Sequence, residues 1–177
     1  MALLRRTSVR GPEVEAAMSE AAANALPLFQ ADVGTDEGTG EWFEVTQEQI
    51  NQFADVTHDH QFIHVDPEAA KATPFGTTIA HGFLTLSMLT KLTVGASSAP
   101  QDAARYEGLL MGINYGFNKV RFVNPVKVGS RIRARAVTAS VDLKGNSLEI
   151  SRNITVEIEG EEKPALVAEW VTRVVYA

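Results

Sequence analysis

The chain contains no cysteine among its 177 residues, and this absence removes several kinds of chemistry at once. Disulfide bonds, thiol nucleophiles and cysteine-ligated metal centres are all excluded. Positive charge is also scarce, because 16 Lys and Arg stand against 22 Asp and Glu, for a net charge of −6. Nucleic-acid binding requires a basic patch or stripe that this balance does not supply, so we expect no nucleic-acid partner.

Long apolar runs are missing as well. No stretch approaches the roughly 20 apolar residues that cross a bilayer, so we expect no membrane span and no membrane partner. The start of the chain carries the basic pair Arg5 and Arg6, but a polar and acidic segment follows it instead of the apolar core of a signal peptide. We therefore expect a cytoplasmic protein, and its 45% apolar and 21% charged residues are ordinary for one globular domain.

Two segments precede the main domain in the predicted organisation. Residues 12–26 are rich in alanine and glutamate with a proline near their start, which predicts a helix that ends at Pro27. Residues 31–41 are rich in glycine and acidic side chains, which predicts a loop. The chain is therefore divided into an N-terminal helical extension, residues 1–40, and a main domain, residues 41–177.

The main domain is predicted to begin with a short strand and a well-marked helix. The strand candidate at residues 42–45 leads to Thr46, which has Gln49 three residues later and so forms a capping box. The helix that starts there should end near Thr57, because its apolar stripe stops there. Residues 58–65 are then predicted to form a loop.

Two further helices are predicted before the strands begin. Asp66 is a good N-cap and Pro67 a good first residue for a short helix. His81 and Gly82 then open a segment that is apolar on nearly all faces as far as Val94, so we expect a buried helix. A sheet wrapped around it is the natural partner.

The second half of the main domain is predicted to consist of four β-strands. Helices followed by a strand meander give an α+β domain, in which one buried helix packs against a curved antiparallel sheet. Alternating apolar residues predict strands at 130–142 and 148–158, while residues 109–122 are a long strand candidate with small residues inside and residues 165–176 are mostly β-formers. Turn residues lie between the last three of these segments.

All four histidines lie between positions 58 and 82, where the chain's candidate chemistry is concentrated. Asp59 and His64 are five residues apart, and in a loop both side chains can reach one water molecule. The carboxylate can then withdraw a proton from the water while the imidazole holds it and manages the second proton. A purely structural role also fits, with Asp59 bonded to local backbone and His64 half-buried, and spacing alone favours that role.

Gly82 and the acidic residues near the histidines raise two further possibilities. A glycine at the start of a buried helix offers a free backbone N–H at the positive end of the helix dipole, which suits a carbonyl oxygen that becomes an enolate. A tight turn that needs no Cβ is the more common use of glycine. The histidines with Asp55, Asp59 and Asp66 form a dense set of potential metal ligands. No recognised ligand spacing such as HExxH appears, so we expect no metal.

Three segments carry a resemblance to a known family. Residues 53–64 read FADVTHDHQFIH and residues 79–83 read IAHGF. They resemble the signature of the MaoC-like dehydratases, the family of the (R)-specific enoyl-CoA hydratases, and the segment KVRFVNPVKVGS resembles that family's strand–turn element. The likeness spans residues 42–177 and is greatest to single-domain actinobacterial hydratases and NodN-like proteins. Where the family has Gly, Asn and Pro, this chain has His58, Gln61 and Phe62.

The resemblance implies a hot-dog fold, in which a curved antiparallel sheet wraps one long central helix, and a homodimer joined sheet edge to edge. It implies reversible hydration of a trans-2-enoyl-CoA to a (3R)-3-hydroxyacyl-CoA, a lyase reaction of fatty acid metabolism. Asp59 and His64 would activate water and return a proton to the α-carbon, while the Gly82 N–H would hold the thioester carbonyl. No metal or organic cofactor is implied, because the thioester is the electron sink and CoA is part of the substrate.

Six further residues are candidates for contacting the substrate. Polar side chains on the first long strand could line a ligand groove, and its basic residues could meet the phosphates of CoA, although an exposed sheet face explains them equally well. The alternatives to a hydratase are a hot-dog acyl-CoA thioesterase and a non-catalytic acyl-binding hot-dog subunit. The six candidates are Gln61, Phe62, His81, Asn114, Lys119 and Arg121.

Overall fold

The computed structural model describes residues 19–93 and 103–177. The predictions for the basic N-terminal start, for residues 12–18 of the first helix and for Val94 lie outside the described residues. Within the described ranges, no helix is long and apolar enough to cross a bilayer. The helices are α1 (Glu20–Gln30), α2 (Gln47–Thr57), α3 (Phe62–Val65), α4 (Pro67–Ala70), α5 (Gly82–Ser87) and α6 (Leu89–Leu92), with a 3₁₀ turn at Ala103–Tyr106. The strands are β1 (Asp36–Thr39), β2 (Phe43–Glu44), β3 (Leu109–Phe122), β4 (Arg131–Lys144), β5 (Ser147–Ile158) and β6 (Leu166–Tyr176).

All six strands belong to one antiparallel sheet. Its order is β1-β4-β5-β6-β3, and β2 pairs with β4 beside β1. The long strands pair along most of their length, so that Ile132 lies opposite Ile158 and Ile154 lies opposite Ala168. The four strands predicted for the second half are confirmed, and β3 forms one edge of the sheet.

Helices α5 and α6 run consecutively across the sheet, because Met88 between them keeps right-handed helical backbone. Leu84 and Leu89 are buried against sheet residues such as Ile154. A curved antiparallel sheet around a central helix is the predicted hot-dog fold, which is confirmed. The prediction that this helix is buried on nearly all faces is wrong at Phe83, which is 67% exposed. Ser87 and Thr90 of the same segment are exposed as well.

Helix α1 covers sheet that the central helix leaves open. The 14 residues of β4 extend for about 45 Å at roughly 3.3 Å per residue, whereas α5 and α6 together span about 17 Å at 1.5 Å per residue. Ala22, Ala25 and Phe29 of α1 pack in a second apolar cluster with Leu148 and Tyr176. Helix α1 therefore packs on the sheet of the main domain, and the division at residue 40 stays a prediction.

Two predictions for the N-terminal segment are wrong. Helix α1 does not end at Pro27 but continues to Gln30, because an internal proline removes only one hydrogen bond and Phe29 is anchored in the core beneath the last turn. The predicted loop at residues 31–41 contains β1, which pairs with β4. The acidic side chains of β1 form ion pairs with arginines of β4 and β5, and these pairs stabilise a strand that its own glycine-rich sequence does not signal.

Candidate active site

Asp59 lies where the chain reverses after α2. This helix has the predicted capping box, since the Thr46 side chain accepts a hydrogen bond from the Gln49 amide and the Gln49 side chain accepts one from the Thr46 amide. It ends at Thr57 as predicted, and His58 adopts a left-handed φ of 60°. Glycine adopts this backbone freely, which explains the glycine expected here from the resemblance. A non-glycine residue holds it at a cost of roughly 1 kcal/mol.

His64 lies on a single helical turn, so the predicted loop at 58–65 is wrong in its second half, where α3 forms. The backbone carbonyl of His64 accepts a hydrogen bond from the Gln47 side chain at 2.7 Å, and its ring Nδ1 lies 2.7 Å from the carbonyl oxygen of Ile79. A carbonyl oxygen can only accept, so we assign the ring proton to Nδ1 and the lone pair to Nε2. The turn and the ring are therefore both fixed by backbone contacts.

Burial sets the protonation of His64. The residue is 7% exposed, and loss of solvent lowers the pKa of its imidazole below the usual 6.5. The bond to the Ile79 carbonyl acts in the opposite direction, His81 lowers the pKa further, and the Asp59 carboxylate raises it. Because the net direction is downward, the ring is neutral near pH 7 and its Nε2 can accept a proton or a hydrogen bond.

His81 brings the acid and the imidazole together. It is 3% exposed, its Nε2 lies 2.9 Å from the Asp59 backbone carbonyl, and its ring stacks on His64 with centroids 3.7 Å apart and planes inclined by 26°. One carboxylate oxygen of Asp59 and one ring nitrogen of each histidine lie within 4.8 Å of one another. The Asp59 carboxylate and the unprotonated ring nitrogen of His64 can hold a water molecule. The three side chains suit a metal ion less well, because stacked rings direct their in-plane lone pairs side by side instead of toward one point. The expected absence of a metal stays a prediction.

An apolar cavity of about 410 Å³ opens beside His64 and continues past Gly82. Gly82 is the first residue of α5, so its amide has no acceptor within the helix. A Cβ added at Gly82 would lie 2.9 Å from the ring of Phe122, so any side chain here would displace that ring. Phe83 packs edge-on against Phe122 with ring centroids 5.7 Å apart. The geometry places the first amide of α5, which has no hydrogen-bond partner among the described residues, beside an apolar cavity that a neutral imidazole also lines.

The first three predicted substrate-contacting residues lie next to this cavity or its histidines. Gln61 precedes α3, and its carbonyl accepts a hydrogen bond from the His64 amide at 2.9 Å. Phe62 is 47% exposed beside it, and His81 is buried against His64. Gln61 and His81 therefore contact the His64 turn directly, and their contact with a substrate stays a prediction.

The other three predicted residues lie elsewhere on the sheet. The side-chain oxygen of the exposed Asn114 accepts a hydrogen bond from the indole N–H of Trp170 at 2.6 Å, which joins β3 to β6. Lys119 and Arg121 line a separate depression with residues of β5 and β6. The described chain does not bring these three residues together with His64, and their role toward a substrate stays a prediction.

Several residues that shape the site carry no motif. Thr78 is fully buried, and its hydroxyl donates to the side-chain oxygen of Gln47 at 2.5 Å. The side-chain nitrogen of Gln47 in turn donates to the His64 carbonyl. Phe75 and Phe122 form apolar walls of the cavity. Of these residues, only Phe122 could have been found from the sequence, because it lies in the segment that resembles the family's strand–turn element.

Comparison with known proteins agrees with this architecture. Residues 28–159 match the family described as the MaoC like domain. The chain is 49% identical over 146 residues to 3-hydroxyacyl-thioester dehydratase Z of Mycobacterium tuberculosis, which covers 82% of this chain and 92% of that protein. It is 50% identical over 141 residues to Nodulation protein N of Rhizobium meliloti, covering 78% of this chain and 84% of that protein.

A solved structure supports the same assignment. The monoamine oxidase regulatory protein of an Archaeoglobus species superposes with a TM-score of 0.66 and 28% sequence identity, covering 82% of this chain and 91% of that chain. With a family match over most of its length and close relatives that it covers almost entirely, this chain belongs to the MaoC-like dehydratase family.

Proposed function

We propose that the protein catalyses the reversible hydration of a trans-2-enoyl-CoA to a (3R)-3-hydroxyacyl-CoA. The proposal rests on the grouping of Asp59 with a buried, neutral His64 beside an apolar cavity that begins at Gly82. A cavity of this kind can take an acyl chain, and the polar groups meet it at one end. The name of one close relative, 3-hydroxyacyl-thioester dehydratase, describes the reverse direction of the same reaction.

The Asp59–His64 pair accounts for every proton in this reaction. A water molecule between the two groups donates one hydrogen bond to the Asp59 carboxylate and one to Nε2 of His64. As the water oxygen bonds to the β-carbon, Asp59 takes one proton and the C=C electron pair moves toward the thioester carbonyl. Asp59 then returns that proton to the α-carbon on the same face, and the hydroxyl stays on the β-carbon. Dehydration follows the same steps in reverse.

The amide of Gly82 stabilises the charge that develops in this step. The thioester oxygen gains negative charge when the β-carbon is attacked, and a backbone N–H without an internal acceptor can donate to it. The Phe122 ring lies against Gly82 and makes this end of the cavity apolar, which strengthens an electrostatic interaction there. The chemistry needs no metal and no organic cofactor.

We further infer that the protein acts as a homodimer joined through β3. Within the described residues this edge strand pairs with β6 alone, so its other side has free backbone groups. It also exposes large apolar side chains, including Leu110 at 59%, Met111 at 54% and Tyr115 at 55%. An exposed apolar edge is unfavourable in water, and a second copy of the same strand would cover it. A cytoplasmic location stays a prediction.

Absorbance of the enoyl thioester tests the proposed reaction directly. We would follow crotonyl-CoA and a longer trans-2-enoyl-CoA with the wild type, Asp59→Asn and His64→Ala, and determine the configuration of the product. Removal of either group should lower kcat by about 10² to 10⁴-fold, the usual contribution of a general acid or base. The control is Asp55→Asn, the same change at an exposed aspartate of α2, and it should retain wild-type activity.

Three outcomes would overturn the hydratase proposal. Release of free CoA without water addition would favour a thioesterase, in which Asp59 activates water against the thioester carbonyl. Binding of acyl-CoA without turnover would favour a non-catalytic acyl-binding subunit. Variants as active as the wild type would assign Asp59 and His64 a structural role.

A further inference from the structure

We propose that His81 is a positioning residue that fixes both members of the pair, by holding the backbone of Asp59 and the ring of His64. The inference rests on the proposed hydratase function, because His81 would hold the side chains of Asp59 and His64 at the relative position that this reaction needs. Positions of such groups must hold to within a fraction of an ångström for efficient reaction.

The first contact is a hydrogen bond to the Asp59 backbone. Nε2 of His81 lies 2.9 Å from the Asp59 carbonyl oxygen, which can only accept, so Nε2 carries the proton. Within the described part of the chain, no other hydrogen bond to Asp59 is present. Asp59 is exposed and follows a residue with left-handed backbone. This one bond therefore fixes the backbone position from which the Asp59 side chain extends.

The second contact is ring stacking. His81 lies between Phe53, at 5.1 Å from centroid to centroid, and His64, at 3.7 Å. This arrangement closes one face of the His64 imidazole to water. The titratable groups that act on His64 are His81, at the N-cap of α5, and Asp59, in the loop after α2. Two imidazoles stacked this closely do not both carry charge.

The unused nitrogen of His81 is consistent with a neutral ring. Nδ1 is buried and has no hydrogen-bond partner among the described residues. If the ring were cationic, Nδ1 would carry a proton with no acceptor in a buried place, which is costly. A neutral His81 therefore donates through Nε2 and stacks on a neutral His64. The charge of the Asp59–His64 pair then lies on Asp59.

Two matched substitutions separate the two contacts. His81→Phe keeps a flat ring against His64 but removes the donor to Asp59, whereas His81→Gln keeps an N–H at similar reach and removes the aromatic ring. We expect kcat to fall about 10 to 100-fold in His81→Phe with KM nearly unchanged, because the carboxylate is displaced. In His81→Gln we expect a smaller fall in kcat, while the pKa of His64 rises and the acid limb of the rate profile moves to higher pH.

The control is His60→Gln, an exposed histidine of the same segment, which should leave kcat and the His64 titration unchanged. NMR titration of the ring signals is practical because the chain has four histidines. It is done without substrate, so an inactive wild type would refute the proposed function while the His64 titration still reports on His81.

An unchanged His64 titration in His81→Gln would overturn the positioning role, and this holds even if His81→Phe fails to fold. Wild-type kcat in a folded His81→Phe would overturn it as well, because the donor to Asp59 would then be dispensable.

Discussion

At the scale of single residues, the surroundings of His64 prepare its Nε2 to accept a hydrogen bond. Nδ1 faces the Ile79 carbonyl and must keep its proton, so the change of charge takes place at Nε2. Burial is the main cause of the lowered pKa, which means that the neutral form persists to more acidic pH than in a free histidine. The exposed Asp59 and the buried His64 thus have different environments within one short segment, which suits them to different roles in one reaction.

The lowered pKa of His64 gives a prediction for pH dependence. Activity should fall on acidification with a midpoint below pH 6.5, because protonation removes the Nε2 lone pair.

The free energy of unfolding should also decrease on acidification. The unfolded chain binds the proton first, so the free energy of unfolding decreases as pH falls through 6.5 and levels off below the folded pKa. Denaturant unfolding of the wild type and of His64→Gln between pH 5 and 8 checks this, since the variant lacks this contribution. An activity midpoint above pH 6.5 would contradict it.

At the scale of elements, the chain predicts those structures whose signals are local. The capping box of α2 and the apolar alternation of β4 and β5 both depend on neighbouring residues, and both are present in the structure. Strand β1 was missed because its ion pairs reach Arg135 and Arg152, about 100 residues further along the chain. The stacking of His81 was missed for a similar reason. Phe53, which contacts its ring, and Asp59, which accepts its hydrogen bond, meet it only after the chain reverses at His58.

Helix α1 should contribute to stability and not to chemistry. Phe29 is 6% exposed in the second apolar cluster, and the Arg105 guanidinium lies 4.8 Å above its ring. Phe29→Ala should lower the free energy of unfolding by about 3 to 5 kcal/mol, the usual cost of this truncation in a core. The folded variant should keep its kcat, because α1 does not line the cavity beside His64.

Denaturant melts and kinetic assays on the same samples would measure both effects of Phe29→Ala. Val33→Ala, at a 43% exposed site in the same segment, is the control and should unfold like the wild type. A large loss of kcat in a folded Phe29→Ala protein would show that α1 also supports the active site.

At the scale of the whole molecule, the β3 edge predicts the oligomeric state. We expect light scattering after size-exclusion chromatography to give the mass of a dimer for the wild type. Ile113→Glu should give a monomer, because it places like charges across the joined edges. The control is Val56→Glu, the same charge at an 81% exposed site on α2, and it should stay dimeric. A dimeric Ile113→Glu would move the interface away from β3.

The contacts of the N-terminal segment also fix an order of events when the chain is made. The Ser19 hydroxyl at the start of α1 donates to the Ala177 carbonyl at 2.5 Å across 158 residues, and Arg152 of β5 reaches back 115 residues to Glu37 of β1. The apolar face of α1 therefore meets its partners in the sheet only after β4, β5 and β6 have left the ribosome. At roughly 5 to 20 residues per second this wait lasts on the order of 10 to 30 seconds. During that time the sheet does not yet cover the apolar face of α1, and apolar surface exposed on a nascent chain favours aggregation.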